Sequence, residues 1–393
     1  MRILFVHNHY QQPGGEDRAV ELESSLLIEK GHDVRVLYFD NKGIAGTYIQ
    51  KMVAFKNAVY NSGSAAVLRH NILDFKPDLI HFHNIFFVAS PSVLKEAYRR
   101  DMPVVVTLHN YRTICSNALL LRENKPCEIC VQKKLPLAGI RYACYRKSSL
   151  ASAMVTLSTG LPKLGSKWSK WVDSYIVLTS FAKEKFEHSS LGVKSQQFLI
   201  KPNFVPDPGI GDSKREPYFL YVGRISEEKG LNVLLEAFAE MADKKIRVVG
   251  DGPEKEQLMS KYKNCINIDF LGNRIQSEVI ILMKKSMALI FPSLWYEGLP
   301  FVILEAFSTG TPIIASNLGA MASLIEDGYN GLLFRTGVVK ELKTAILRFE
   351  ANGEKMYGYA RNTYLNNFHP EIHYQAVMKI YDQSIRESKR RRS

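Results

Sequence analysis

The sequence predicts an α/β protein made of two tandem, doubly wound parallel-sheet domains that face each other across a cleft. Three observations predict it. Short apolar runs alternate with helical patterns along the chain, as in parallel sheets covered on both faces. The alternation breaks at a proline-rich stretch and then restarts. The 393 residues exceed what one hydrophobic core usually organises, so domains of roughly 200 residues each are expected.

Element by element, Ile3 to Val6 reads as a buried first strand, because the run is too short for a signal peptide and leads into His7, Asn8 and Tyr10. A loop from His7 to Gly15 precedes a helical pattern from Glu16 to Lys30, with Gly31 as its stop and Val34 to Phe39 as the second strand. Further strands are expected at Leu79 to Phe82, Val104 to Leu108 and Tyr175 to Leu178. Pro202 to Gly209 cannot continue helix or sheet and ends in polar Gly211 to Glu216. This places a linker at 204–216 between domains at 1–203 and 217–371. The second domain is expected to hold strands Phe219 to Val222, Ile246 to Val249, Ile266 to Leu271, Ala288 to Pro292 and Pro312 to Ala315, with helices Leu231 to Met241 and Phe301 to Thr309. A helical pattern from Ile372 to Ile385 and a basic tail, Lys389 to Arg392, occupy 372–393. Ligands of open α/β sheets bind outside the strand carboxyl ends, which here means the cleft.

Composition narrows the function. Hydrophobic residues at 46% and charged residues at 23% are ordinary for a soluble protein, and no run of about 18 apolar residues predicts a membrane span. The net charge of +13 is concentrated. In the segment 112–172, Lys133, Lys134, Arg141, Arg146, Lys147, Lys163, Lys167 and Lys170 follow Glu128 with no acid before Asp173, and Trp168 and Trp171 close the run. Such a stretch suits an anionic membrane surface or a pyrophosphate-bearing acceptor, or is simply a solvated face. A nucleic-acid partner is not expected, since charge alone supports it and no binding module is recognisable.

The most informative stretch is Glu297-Gly-Leu-Pro-Phe-Val-Ile-Leu-Glu305, a loop glutamate and a helix glutamate just past the apolar run Met287 to Pro292. At about 1.5 Å rise per residue their spacing is roughly 12 Å, about the distance from a nucleotide's ribose to a sugar beyond its diphosphate. Pro300 suits the first helical position, and the amides of Leu299, Phe301 and Val302 would meet an anion lying between the two ends. Arg224, after a strand, and Lys229, before a helix, are fixed cations for a departing diphosphate. Gly223, Gly250 and Gly298 allow close backbone approach. Gly14 and Gly15 do the same after the first strand, where the absence of a G-x-G-x-x-G pattern argues against a nicotinamide dinucleotide.

Histidines at strand ends, His83 and His109, reach towards the cleft, and His109 is the candidate for a sugar contact. Cys115, Cys127, Cys130 and Cys144 lie within thirty positions, with Cys265 apart. The Cys127-x-x-Cys130 spacing is that of a metal knuckle, and the four thiols would complete a structural zinc site with no catalytic role; unligated buried thiols are the alternative, and disulfides are less expected without a secretory signal.

Taken together, Gly14-Gly15, Glu29 to Val34, His109, Gly223-Arg224 with Lys229-Gly230, Gly250 to Pro253 and the Glu297 to Glu305 signature resemble the retaining glycosyltransferases of family 4, of the GT-B fold with two Rossmann-like domains. The cysteine-containing insertion resembles that of a subset of the family. The resemblance implies that the diphosphate of a UDP- or GDP-linked sugar lies against Arg224, Lys229 and Leu299 to Val302. Glu305 then holds the ribose, the base sits near Asn273 and Arg274, and Glu297 and His109 flank the sugar. It further implies transfer without a cofactor or divalent metal, one-face retention with the leaving phosphate oxygen helping to deprotonate the acceptor, and a C-terminal helix that returns to the first domain. The expected acceptor is a glycan or lipid-linked glycan of cell-surface polysaccharide synthesis, met in the cytoplasm or at the cytoplasmic face of the membrane. The competing readings are a GT-B sugar-nucleotide epimerase, a glycosidase and a non-catalytic nucleic-acid-binding protein. Glutamates spread along a donor, rather than flanking one bond, disfavour the glycosidase.

Overall fold

The computed structural model describes residues 1–9, 14–41, 48–212 and 214–392. Tyr10 and Pro13, in the first glycine loop, and Ser213, in the expected linker, lie outside the described residues. The chain divides into two compact units. The first comprises Met1–Leu120, Cys127–Pro202 and His373–Ser393, and the second Leu121–Pro126 and Asn203–Ile372.

The first unit is built on six parallel strands: β1 (Arg2–His9), β2 (Asp33–Asp40), β3 (Leu79–Asn84), β4 (Val104–Leu108), β5 (Ser174–Val177) and β6 (Phe198–Ile200), in the order β2-β1-β3-β4-β5-β6. The central strands are buried along their length because helices cover both faces. Ile3, Phe5, Val20, Leu27, Val105 and Ile176 form one core cluster, and Val377, Ile380 and Tyr381 of the last helix, Pro370–Arg392, complete it. Burying each aliphatic side chain contributes on the order of 2 kcal/mol.

Beneath that helix lies a charged network with almost no solvent contact. Glu23 Oε2 is 2.6 Å from Lys201 Nζ and 3.1 Å from His373 Nε2. Its other oxygen is 3.3 Å from His81 Nδ1, which also shares a 2.8 Å hydrogen bond with the Tyr381 hydroxyl. Burial pushes the Glu23 carboxyl up, but the Lys201 ammonium and the hydrogen bonds from His373 and His81 hold it well below its ordinary value. Two of the places where the chain changes unit, after Pro202 and before His373, adjoin this network.

The second unit repeats the plan with β7 (Phe219–Val222), β8 (Ile246–Val249), β9 (Ile268–Gly272), β10 (Leu289–Phe291), β11 (Ile313–Ser316) and β12 (Gly331–Phe334) in the order β9-β8-β7-β10-β11-β12. Strand order reverses between β7 and β10, the topological switch point. The stretch expected as linker is packed on this unit. Phe204 and Val205 are buried, Tyr364 donates to the Val205 carbonyl at 3.0 Å, and Arg361 pairs with Asp207 at 2.6 Å. Its prolines forbid helix and ladder but not packing.

Candidate active site

The switch point of the second unit gathers most of the residues singled out from the sequence. Gly230 is left-handed (φ 70°), and a Cβ there would stand 2.1 Å from the Pro292 carbonyl oxygen. Only glycine lets the start of the helix Leu231–Ala239 come up against the end of β10. The Leu294 amide donates to the Glu228 carbonyl at 2.9 Å and joins the two strand-end loops. Lys229 is thereby held beside Glu297, Nζ to Oε1 2.7 Å, and the Ser293 hydroxyl donates to the same oxygen at 2.6 Å. The resemblance assigned Lys229 to the diphosphate and Glu297 to the sugar; in the structure the two side chains pair with each other. Glu297 is buried and Lys229 half-buried.

Arg224 follows β7 with its side chain exposed, and its carbonyl accepts the Tyr221 hydroxyl at 2.8 Å. Gly223 and Gly250 meet at adjacent strand ends. A Cβ on Gly250 (φ 142°) would lie 1.9 Å from the Gly223 oxygen, and the Gly250 amide donates to Gly272 at 2.9 Å. Ligand access is the expected reason for these glycines, whereas backbone contact alone requires the second. Asn273 and Arg274 are exposed on the loop after β9.

The helix Phe301–Ser308 begins where expected and ends one residue early, with Pro300 as its N-cap rather than its first helical residue and no cap hydrogen bond from that side chain. Glu297 therefore stands outside the helix, so the helical rise used to space the glutamates applies only from Phe301 to Glu305. Gly298, Phe301 and Val302 are half-buried and Leu299 is buried. Glu305 is buried and accepts a 2.8 Å hydrogen bond from Gln276 Nε2.

In the first unit, Gly14 caps the helix Gly15–Glu29, and its amide donates to Asp17 at 2.7 Å. Asp17 Oδ1 also takes 2.8 Å contacts from His7 Nε2 and His9 Nδ1. That triad was not singled out from the sequence; its only signal was polar residues closing an apolar strand. His109, just past β4, stacks on His83 with a 3.0 Å hydrogen bond between the rings. Burial first, then the neighbouring His7 and Lys201, draw the His109 imidazolium down to about 3. His109 is therefore neutral at physiological pH, with its hydrogen bond to His83 in place. His83, His109, Asn110 and Arg112 line a small pocket at these strand ends.

The cysteine segment departs from the sequence picture in part. The five cysteines are thiols and not disulfides, with Cys115 and Cys130 buried and Cys127 and Cys144 half-buried. The four clustered thiols are not among the groups whose ligand atoms all lie within 4.8 Å, which among the described residues are His7, His9 and Asp17, and Glu23, His81 and His83. Burial, then the other three thiols, push the Cys130 thiol up to about 11. Two residues expected on a basic surface are interior. Trp168 is 1% exposed, its indole donating to the Thr159 carbonyl at 3.1 Å, and Lys163 is 2% exposed. Lys133, Lys134, Arg141, Arg146, Lys147 and Lys170 are exposed as expected. No helix among the described residues is long and apolar enough to cross a membrane.

Two repeated doubly wound units with cations, carboxylates and glycines at the strand ends define a GT-B-type α/β protein. Solved structures of that kind agree. The apo lipopolysaccharide outer core galactosyltransferase WaaB superposes with a TM-score of 0.68 at 14% identity, covering 97% of this chain and 99% of that one. Alr3699/HepE of Anabaena, in complex with UDP, gives 0.65 at 17% identity, covering 96% and 99%. In sequence, residues 13–206 match Glycosyltransferase Family 4 and residues 208–365 match Glycosyl transferases group 1. An uncharacterized glycosyltransferase of Methanocaldococcus jannaschii, MJ1178, is 30% identical over 395 residues, covering 98% of both chains. The chain belongs to the family 4 glycosyltransferases and is an enzyme of that class.

Proposed function

We propose that the chain transfers a sugar, with retention, from a UDP- or GDP-linked donor to a hydroxyl of a glycan or lipid-linked glycan in cell-surface polysaccharide synthesis. The observation that carries this reading is the Lys229, Glu297 and Ser293 cluster at the β7/β10 switch point, beside exposed Arg224 and an uncapped helix start. An arriving diphosphate competes for the Lys229 ammonium. Glu297 Oε1, released from it, becomes an acceptor for sugar hydroxyls, so one exchange of partners couples donor binding to sugar orientation. Arg224, Lys229 and the amides at Leu299 to Val302 stabilise the charge that grows on the leaving diphosphate. Neutral His109 offers the sugar a hydrogen bond without a competing charge. The leaving phosphate oxygen takes the acceptor proton on the same face, so no protein nucleophile is needed. UDP bound by HepE supports a nucleotide donor.

The acceptor side rests on a surface. Leu137, Tyr142, Leu150, Leu161 and Leu164 are exposed among the basic residues of the same segment, a combination suited to anionic lipid at the cytoplasmic membrane face. Flotation with anionic vesicles that is indifferent to salt and lipid charge counts against it. For the transfer itself, nucleoside diphosphate sugars are screened for released diphosphate with the parent, Glu297→Ala and Arg224→Ala. Loss of about 100-fold or more in both variants is expected. Full turnover in both overturns the site assignment.

A further inference from the structure

From residue 110 to 148 the chain forms only the four-residue helix Ala138–Arg141 and a minimal two-stranded turn, Leu121–Arg122 with Lys125–Pro126. Ala118, Leu120, Ala143, Arg146 and Lys147 nonetheless hold positive φ. Such a conformation is unfavourable for residues other than glycine and persists only where the surroundings over-determine it. Something other than sheet or helix holds this segment.

Two residues tie the cysteines into pairs. The Leu120 amide is directed at the Cys115 sulfur, and its carbonyl accepts the Cys127 amide at 2.7 Å. Gly139 repeats the arrangement, its amide directed at the Cys130 sulfur and its carbonyl accepting the Cys144 amide at 3.0 Å. Amide donors aimed at sulfur would orient these side chains as metal ligands.

Lys163 adds the second, independent sign. It projects from the helix Ser149–Leu164 and is 2% exposed, and its Nζ donates to the Ser190 hydroxyl at 3.3 Å. Ser190 in turn donates its amide to the Val131 carbonyl at 2.9 Å, next in sequence to Cys130. No carboxylate pairs with Lys163 among the described residues, and the sequence holds no Asp or Glu from 129 to 172. The groups able to carry negative charge beside it are Cys130 and Cys115.

We propose that Cys115, Cys127, Cys130 and Cys144 bind a tetrahedral zinc ion as thiolates, with the Lys163 ammonium as counter-charge to the doubly negative centre. Binding takes up one Zn²⁺ and releases four protons, one from each thiol. It also draws the sulfurs together, since they do not all lie within 4.8 Å of one another. The ion then fixes the segment that leaves His109. The two tighter groups are occupied otherwise: Asp17 is satisfied by His7, His9 and the Gly14 amide, and Glu23 by Lys201.

The test uses the full chain expressed with zinc and purified without chelator, its metal measured by mass spectrometry and its cobalt-substituted form by visible absorption. About one zinc per chain and the intense bands of a tetrahedral cobalt–thiolate centre are expected. Cys127→Ser or Cys130→Ser removes both, and Cys265→Ser changes neither. Lys163→Met keeps the stoichiometry and loses zinc to a competing chelator at about tenfold lower chelator concentration. A folded parent with neither zinc nor cobalt bands, or thiol titration revealing disulfides among the four, overturns the site. Should the serine variants fail to fold, the parent's metal content and cobalt spectrum still decide. Equal zinc retention in Lys163→Met removes the lysine from the proposal.

Discussion

Oε1 of Glu297 receives both the Lys229 ammonium and the Ser293 hydroxyl, so the carboxylate is buried at little net cost as long as both remain. Lys229→Met should destabilise the second unit by about 2 kcal/mol, read as a lowered calorimetric transition, because it strands a buried charge. Adding Glu297→Gln should recover part of that loss. A double variant no more stable than the single one contradicts the pairing. Residue types at this site were legible in the sequence, since strand-end cations and a Glu-Gly-Leu-Pro turn have few other uses. Their mutual pairing was not legible, because side-chain partners 68 positions apart leave no spacing to read.

At the scale of elements, glycine separates structural need from ligand access. Gly250→Ala forces a Cβ into the Gly223 backbone and should lower the stability of the second unit by about 3 kcal/mol in urea unfolding. Gly14 has φ −146°, and a Cβ added there would meet nothing within 4 Å. Gly14→Ala should therefore unfold at the parent's urea midpoint, and reduced turnover there would report a ligand passing close to that backbone. An unfolding midpoint shifted as far as that of Gly250→Ala contradicts this. Ten of the twelve sheet strands were legible as apolar runs. The other two, Phe198–Ile200 and Gly331–Phe334, lie at sheet edges, the first exposed at its end and the second opening on glycine, so neither presents the fully buried apolar run of a central strand. The tryptophan misplacement has a similar cause: Lys167-Trp-Ser-Lys-Trp171 reads amphipathic, but only the fold decides that Trp168 packs inward.

For the whole molecule, pH should act on the two units unequally. His7, His81, His83, His109 and His373 all belong to the first unit, and burial lowers each. Each ring takes up a proton less readily when folded than when unfolded near its ordinary value, so the unfolded chain binds more protons as pH falls. Stability is complete above about pH 6.5 and declines below it, in the case of His109 down to about 3. At pH 5.5 that residue alone costs about 1.4 kcal/mol. Hydrogen exchange at pH 7.5 and 5.5 should show protection lost first in β1, β3 and β4. Equal loss in β7 to β12 contradicts the assignment.

Because Val377, Ile380 and Tyr381 complete the core that Ile3 and Phe5 begin, that core cannot close while the ribosome is still translating the chain's last stretch. The later-encoded half can settle while the earlier half waits with apolar surface uncovered. Nascent chains halted at Ile372 should thus recruit holdase chaperones to their oldest residues rather than to their newest, a reversal of the usual vectorial order.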